Sequence, residues 1–249
     1  MTSVTVQSDV DSLRFDGFTR YQLLSRKGEV WGLEGMDGWD GTPAPRESPA
    51  DIPQSDGAYM PSRLTVGSRV LTIRCLVKTL DSLAASMVRD RVCDLMTRTL
   101  TVTVTDPSGM RQCSGYLSAD PATTMVFWGQ AVSFSLIVTC PDPLKYGRLI
   151  VCQPDPAGDL SAANPGTLPA WPHARVEGPV RQLSLSQGGR QVVWAGEADG
   201  LDLDFRDMMP SAGDLVRDQA FRLPPGSSIV QYTVSLGARL ILTFRPAWR

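Results

Sequence analysis

Residues 131–143 read AVSFSLIVTCPDP, and no other stretch restricts the fold as much. Val132, Phe134, Leu136 and Val138 fall on one side of an extended chain, and Ser133, Ser135 and Thr139 fall on the other. That period of two belongs to a strand with one buried face. Pro141 and Pro143 then end the strand, because proline offers no N–H to a sheet ladder and pushes the residue before it out of the helical region. Gly147 lets the chain bend afterwards. The segment carrying Pro141, Asp142, Pro143, Tyr146 and Gly147 is therefore read as an interdomain hinge, which divides the chain into domains 1–143 and 144–249.

The same region tests for a membrane span. Pro121–Pro141 is 21 residues without a charge, about the length of a spanning helix. Its polar residues and its alternation fit a half-buried strand instead, so no membrane insertion is expected. The opening MTSVTVQSDVDS has no basic stretch leading into an apolar one, so no signal peptide is expected.

Upstream of the hinge, LRFDGF (13–18), YQLLSR (21–26) and EVWGLE (29–34) read as short strands. Residues 35–63, rich in Gly, Pro and Asp and without periodicity, read as an extended arm reaching toward a neighbour, since a loop this long in a compact domain is usually functional or disordered. RVLTIRCLVKT (69–79) alternates as a strand. One helix is expected over 81–98, where Leu83, Met87, Val88, Val92, Leu95 and Met96 form an apolar stripe and Asp81 or Ser82 caps the start. LTVTVT (100–105), the turn Asp106-Pro107-Ser108-Gly109 and residues 111–118 make a hairpin. After a loop at 120–123, one long strand runs to the hinge.

Downstream, RLIVCQ, ARVEGPV, RQLSLS, RQVVWAG, LDLDFR, QAFRLP, SIVQYTVSL and RLILTFRP read as short strands, with a hairpin turn at Gln187-Gly188-Gly189. Strands at this spacing point to an antiparallel sandwich. The fold class expected is mainly β: a first domain of strands with one helix, then a β-sandwich.

Chemistry is sparse. His173 is the one histidine and has no nucleophile motif around it. No phosphate-binding loop, HExxH or GxSxG occurs. Asp202 and Asp204 share a strand face, which glycoside hydrolysis or calcium could use, but a solvated strand face explains them with no further assumption. Trp171 and Trp194 are candidate sugar contacts, with buried core aromatics as the alternative. Cys75, Cys93, Cys113, Cys140 and Cys152 lack metal or redox spacing and read as small buried hydrophobes in a reducing compartment. The two domains carry net charges of −3 and +1, so neither is a polybasic binder of nucleic acid. No enzyme, metal or cofactor is expected.

With the hinge in place, the order of features resembles the distal tail protein (Dit) family of siphophages along nearly the whole chain. The resemblance rests on Trp31, on Asp56-Gly57 in the loop, on the strand at 69–74 and on the helix near 81–98. It continues through the D-x-x-G turn, Cys140-Pro141-Asp142-Pro143 with Tyr146, Asn164-Pro165-Gly166-Thr167 before Pro172, Glu177-Gly178-Pro179 and Leu223-Pro224-Pro225-Gly226. It implies a non-enzymatic hexameric ring in the virion, made in the host cytoplasm. The first domain would be tail-tube-like and the second a galectin-like sandwich at the periphery. The ring would join the tail tube above to a tail-tip hub or tail-associated protein below and leave a channel for DNA. The alternative expectation is a carbohydrate-binding, lectin-like adhesion module.

Overall fold

The computed structural model describes residues 2–17, 28–154, 158–235 and 237–249, and the expected strand at 21–26 lies outside them. The chain adopts the mainly β architecture and divides into two compact units, Met1–Lys145 and Tyr146–Trp248.

The first unit is a closed sheet with one helix. Its strands are β1 (Ser3–Gln7), β2 (Ser12–Gly17), β3 (Val30–Asp37), β4 (Arg69–Lys78), β5 (Leu100–Asp106), β6 (Gly109–Leu117), β7 (Thr124–Val126) and β8 (Ala131–Cys140). They run in the order β6-β5-β1-β2-β3-β4-β8-β7, and β6 also pairs with β8, which closes the barrel. All pairings are antiparallel except β2 with β3. β4 and β8 form the spine, paired from Arg69↔Cys140 to Lys78↔Ala131. Their inward residues Leu71, Ile73, Cys75, Val77, Phe134, Leu136 and Val138 lie in one buried cluster, as the alternation requires. β1 went unread in the sequence, though its Val4 and Val6 are fully buried.

The helix α1 spans Ser82–Cys93, and Asp81 caps it by accepting the Ala84 N–H at 2.8 Å. It is shorter than expected. Leu95 and Met96 donate three residues back, to Val92 and Cys93, and Thr97 is left-handed at φ 67°, so the last expected turn is a tightened exit. The buried stripe is also narrower: Ala85, Val88, Val92 and Leu95 pack inward, while Leu83 and Met87 stand 71% and 61% exposed. Periodicity gives the helix a face, but the barrel it lies on covers only one flank of that face.

The long strand expected before the hinge is two strands. β7 runs to Val126, a 3-10 turn at Phe127–Gly129 reverses the chain, and β8 returns beside it.

The division between the units falls within the short strand β9 (Lys145–Tyr146). The second unit contains β10 (Ile150–Val151), β11 (Gln153–Pro154), β12 (Leu160–Asn164), β13 (Pro172–Gln187), β14 (Arg190–Asp204), β15 (Asp214–Asp218), β16 (Gly226–Val234), β17 (Arg239–Phe244) and β18 (Ala247–Trp248). The main path is β10-β17-β13-β16-β12-β11, with β14 on β13 and β15 on β14. Two expected pairs of strands are each one long strand. ARVEGPV and RQLSLS merge into β13, and RQVVWAG and LDLDFR merge into β14. Gly178, at φ 86°, sits in a bulge between Val176 and Pro179 that bends β13 without ending it. β13 can then pair with β17 along Pro172–Glu177 and with β16 along Leu183–Ser186. QAFRLP contributes only a bridge from Leu223 to Ala170.

Candidate assembly surface

The first unit has two features that a self-contained barrel does not need. One is the arm. Residues 44–67 fold back on themselves through bonds from Arg46 N–H to the Thr65 carbonyl, Tyr59 N–H to Ala50 and Gly67 N–H to Ala44. The return limb carries Tyr59, Met60 and Leu64 exposed to solvent. Glu47 holds the return limb: its carboxylate accepts both the hydroxyl and the N–H of Thr65, and these bonds lower its pKa.

Arg69, buried at the start of β4, anchors the root of the arm. Its Nη1 donates to the carbonyls of Gly38 (2.6 Å), Trp39 (3.3 Å) and Gly41 (2.9 Å), and its Nε donates to Pro143 (2.9 Å). Lys145, also buried, donates to the Trp39 carbonyl at 3.0 Å. Burial, then the neighbouring Arg69 charge, holds the Lys145 ammonium below its ordinary range. The expected hinge residues divide at this point. Asp142 accepts the Leu144 N–H and Pro143 is bonded to Arg69, both inside the first unit. Tyr146 and Gly147 belong to the second, where Gly147 N–H donates to Pro246.

The other feature is an apolar face at the start of α1. Thr79 donates both its N–H and its hydroxyl to the Gln130 carbonyl, which fixes the turn at 127–129 beside residues 79–82. Leu80, Leu83, Met87, Phe127 and Trp128 are all exposed on these elements, Trp128 at 99%. Phe127 and Trp128 are consecutive left-handed residues, at φ 50° and 53°. For bulky side chains that backbone costs on the order of 1–3 kcal/mol each, a cost that tends to collect at functional positions. The expectation of one long strand hid this pair.

The rest of α1 is pinned by charge. Arg91 grips both Asp11 oxygens at 2.9 and 3.1 Å, reaches Glu29 at 3.3 Å and lies 5.0 Å from the centre of the Trp31 ring. Arg98 pairs with Asp9 and Asp94.

In the second unit the two candidate sugar contacts separate. Trp194 is fully buried and donates its indole N–H to the Ala212 carbonyl at 2.6 Å, so no ring face is open to a sugar. That expectation is corrected: the ring fills the centre of the core, against Gly196 and Gly213. Trp171 is half-buried and borders an open groove of about 550 Å³ with Arg190, Phe221 and Arg222. The Arg222 guanidinium already stacks 4.1 Å from the centre of its ring. Asp202 bonds His173 at 2.7 Å on the exposed face of β14, and Asp204 accepts the Arg206 N–H. Among the described residues no group of three His, Cys, Asp or Glu is placed to hold a metal, and no helix is long and apolar enough to cross a membrane. Four cysteines are buried as expected, whereas Cys93 is exposed.

No family profile matches this chain, and no curated protein matches it. Solved structures do. The crystal structure of the Dit protein of phage SPP1, described as a paradigm of the hub adsorption apparatus in phages infecting Gram-positive hosts, superposes with a TM-score of 0.65 at 14% identity. That likeness covers 99% of both chains. The phage P2 baseplate in its activated conformation with Ca matches with a TM-score of 0.53 at 8% identity, over 99% of this chain and 98% of the other. The p2 baseplate with Sr gives 0.53 and 8%, over 98% of each chain. At these identities the likeness establishes the fold, and it extends from end to end of the chain.

Proposed function

We propose that this chain is a structural subunit of a siphophage tail tip, a Dit-type hub protein that assembles into a hexameric ring in the virion. The carrying observation is the end-to-end likeness to SPP1 Dit, which takes in both units in order rather than one widely shared module. In this reading the first unit builds the ring. The apolar face around Trp128 and the arm at 44–67 are covered by neighbouring subunits, which is where exposed aromatics give most in an interface. The ring joins the tail tube on one side to a tail-tip hub or tail-associated protein on the other. The hinge at Pro141–Gly147 sets the second unit at the periphery.

The central channel passes DNA without gripping it, because a first unit of net negative charge has no excess of cations to release counterions from phosphates. The chain has no catalytic role and is made in the host cytoplasm before assembly. Size-exclusion chromatography with light scattering tests the ring: six protomer masses, and rings by negative stain, are the expected result. A stable monomer at assembly concentrations would overturn it.

A second reading is carbohydrate binding by the second unit, favoured by the groove beside Trp171 and Arg222. A sugar would have to share the ring face with the guanidinium stacked there. Glycan-array binding that is lost in Trp171→Ala supports this reading, and binding that is unchanged in that variant removes it.

A further inference from the structure

We propose that Cys113 and Cys140 form an oxidisable pair that a peroxide closes into a disulfide across the β6–β8 seam of the barrel. This inference does not depend on the tail-tip reading. The two sulfurs lie 3.3 Å apart, and both residues are buried. The register explains the meeting. β6 and β8 pair at Tyr116↔Thr139 and Leu117↔Val138, which sets Gly115 opposite Cys140. A Cβ at Gly115 would sit 2.3 Å from the Thr139 carbonyl oxygen and 3.0 Å from the Cys140 sulfur. With no side chain there, Cys113, two residues away on the same face, reaches over the glycine to Cys140.

A buried cation stands beside the pair. Arg69 is paired with Cys140 in the β4–β8 register, and its charge interacts with both thiols. Its Nε and Nη1 are committed to carbonyls, while its Nη2 is buried without a partner among the described residues. An unfilled charged donor next to a thiol suits the thiolate of that thiol, the nucleophilic form. The hydrogen bond to Cys113, with help from the Arg69 charge and against burial, holds the Cys140 thiol below its ordinary range, and the same bond pushes Cys113 up. Cys75 and Cys152 differ, since burial leads in raising both, Cys152 to about 11.

The chemistry balances with hydrogen peroxide, an oxidant small enough for a buried site. The Cys140 thiol gives up its proton and its thiolate attacks one peroxide oxygen; an S–O bond forms, the O–O bond breaks, and the leaving hydroxide takes that proton as water. Cys113 then gives up its proton and its sulfur attacks the Cys140 sulfur. An S–S bond forms, the S–O bond breaks and the departing hydroxide takes that proton as water. Two thiols and one peroxide give one disulfide and two waters, with two electrons passing from sulfur to oxygen. The bond would staple a short seam, two ladder pairs plus a bond from the Ser118 N–H to the Ile137 carbonyl, against ten pairs between β4 and β8.

The test uses the full chain carrying Cys93→Ser, which removes the exposed thiol, treated with hydrogen peroxide beside a dithiothreitol control. The expected product has lost two hydrogen atoms by intact mass, yields a non-reducing peptide joining Cys113 to Cys140, and unfolds roughly 5–10 °C higher. A Cys113→Ala variant should leave a sulfenic acid at Cys140 that dimedone traps. If that variant does not fold, the peptide map of the parent decides alone. Oxygen added at either cysteine with no joined peptide, or both thiols left unmodified after peroxide, overturns the proposal.

Discussion

The two units differ in the aromatic residues they leave in solvent. In the second, Trp194, Phe205, Phe221 and Phe244 are fully buried, and Phe205 packs edge-on to Phe221 at 4.9 Å. Its exposed large apolar residues, such as Met209, Val216 and Ile229, are aliphatic. In the first, Phe15, Trp39 and Phe134 are buried among aliphatic strands, but Tyr59, Tyr116, Phe127 and Trp128 are exposed. The first unit also buries two cations, Arg69 and Lys145, around the root of an arm, whereas the second has Asn164 as its buried polar side chain. Aromatic surface, backbone strain and buried charge are all costly in an isolated body. Their concentration in the first unit is what the proposed ring would require of the unit that builds it.

The sharpest way to break that comparison is at the two centres. Trp194→Ala should cost the second unit about 3–5 kcal/mol, through a large cavity and an unmet Ala212 carbonyl. Hydrogen exchange should then rise across β13 and β14 and stay unchanged in β4 and β8. Equal exchange in both units would mean that they do not have separate cores. Arg69→Met should cost roughly 3 kcal/mol, because several buried carbonyls lose their donor. Protection should fall first at residues 38–41 and 143–145.

Replacing Trp128 with Gly reverses the sign. The protomer should keep its stability or gain about 1 kcal/mol as strain is relieved. Self-association should weaken by roughly 30-fold, the effect of losing one interface anchor of ~2 kcal/mol. Ultracentrifugation reads the second effect and thermal melting the first; a variant that melts lower and associates as before would place Trp128 in the fold rather than at a contact.

The smallest effect is at Glu47. Its folded-state pKa is lowered from 4.5, so the stability it lends the arm is full above about pH 4.5 and is lost as pH falls through the lowered value. Amide exchange at Thr65 should rise in acid, and Glu47→Gln should remove that dependence.

Much of this was legible residue by residue. The alternation at 69–78, 100–106 and 131–140 named strands and their buried faces, because a pleated chain must send every second side chain to the core. Asp106-Pro107-Ser108-Gly109 named its hairpin, since Asp106 accepts the Ser108 N–H and Gly109 takes the positive φ. The helix was found, but its exposed flank was not, because a stripe of apolar residues does not record how wide a surface will meet it. The expected break after Val180 is a bulge instead, because β14 pairs with β13 on both sides of it, at Val180 and again at Gln182. Trp128 lay hidden in an uncharged stretch, since left-handed backbone leaves no periodic mark in a sequence.

By itself, the sequence determined many of the local states of the chain: periodicity and turn chemistry act over a few residues and need no distant partner. Only the tertiary structure decided what met across the chain. Arg69 at the arm root, Cys113 beside Cys140, and one tryptophan sealed while another stands in water all depend on strand order and register. Those are set by closing a barrel or bending a strand, and chain separation does not encode them.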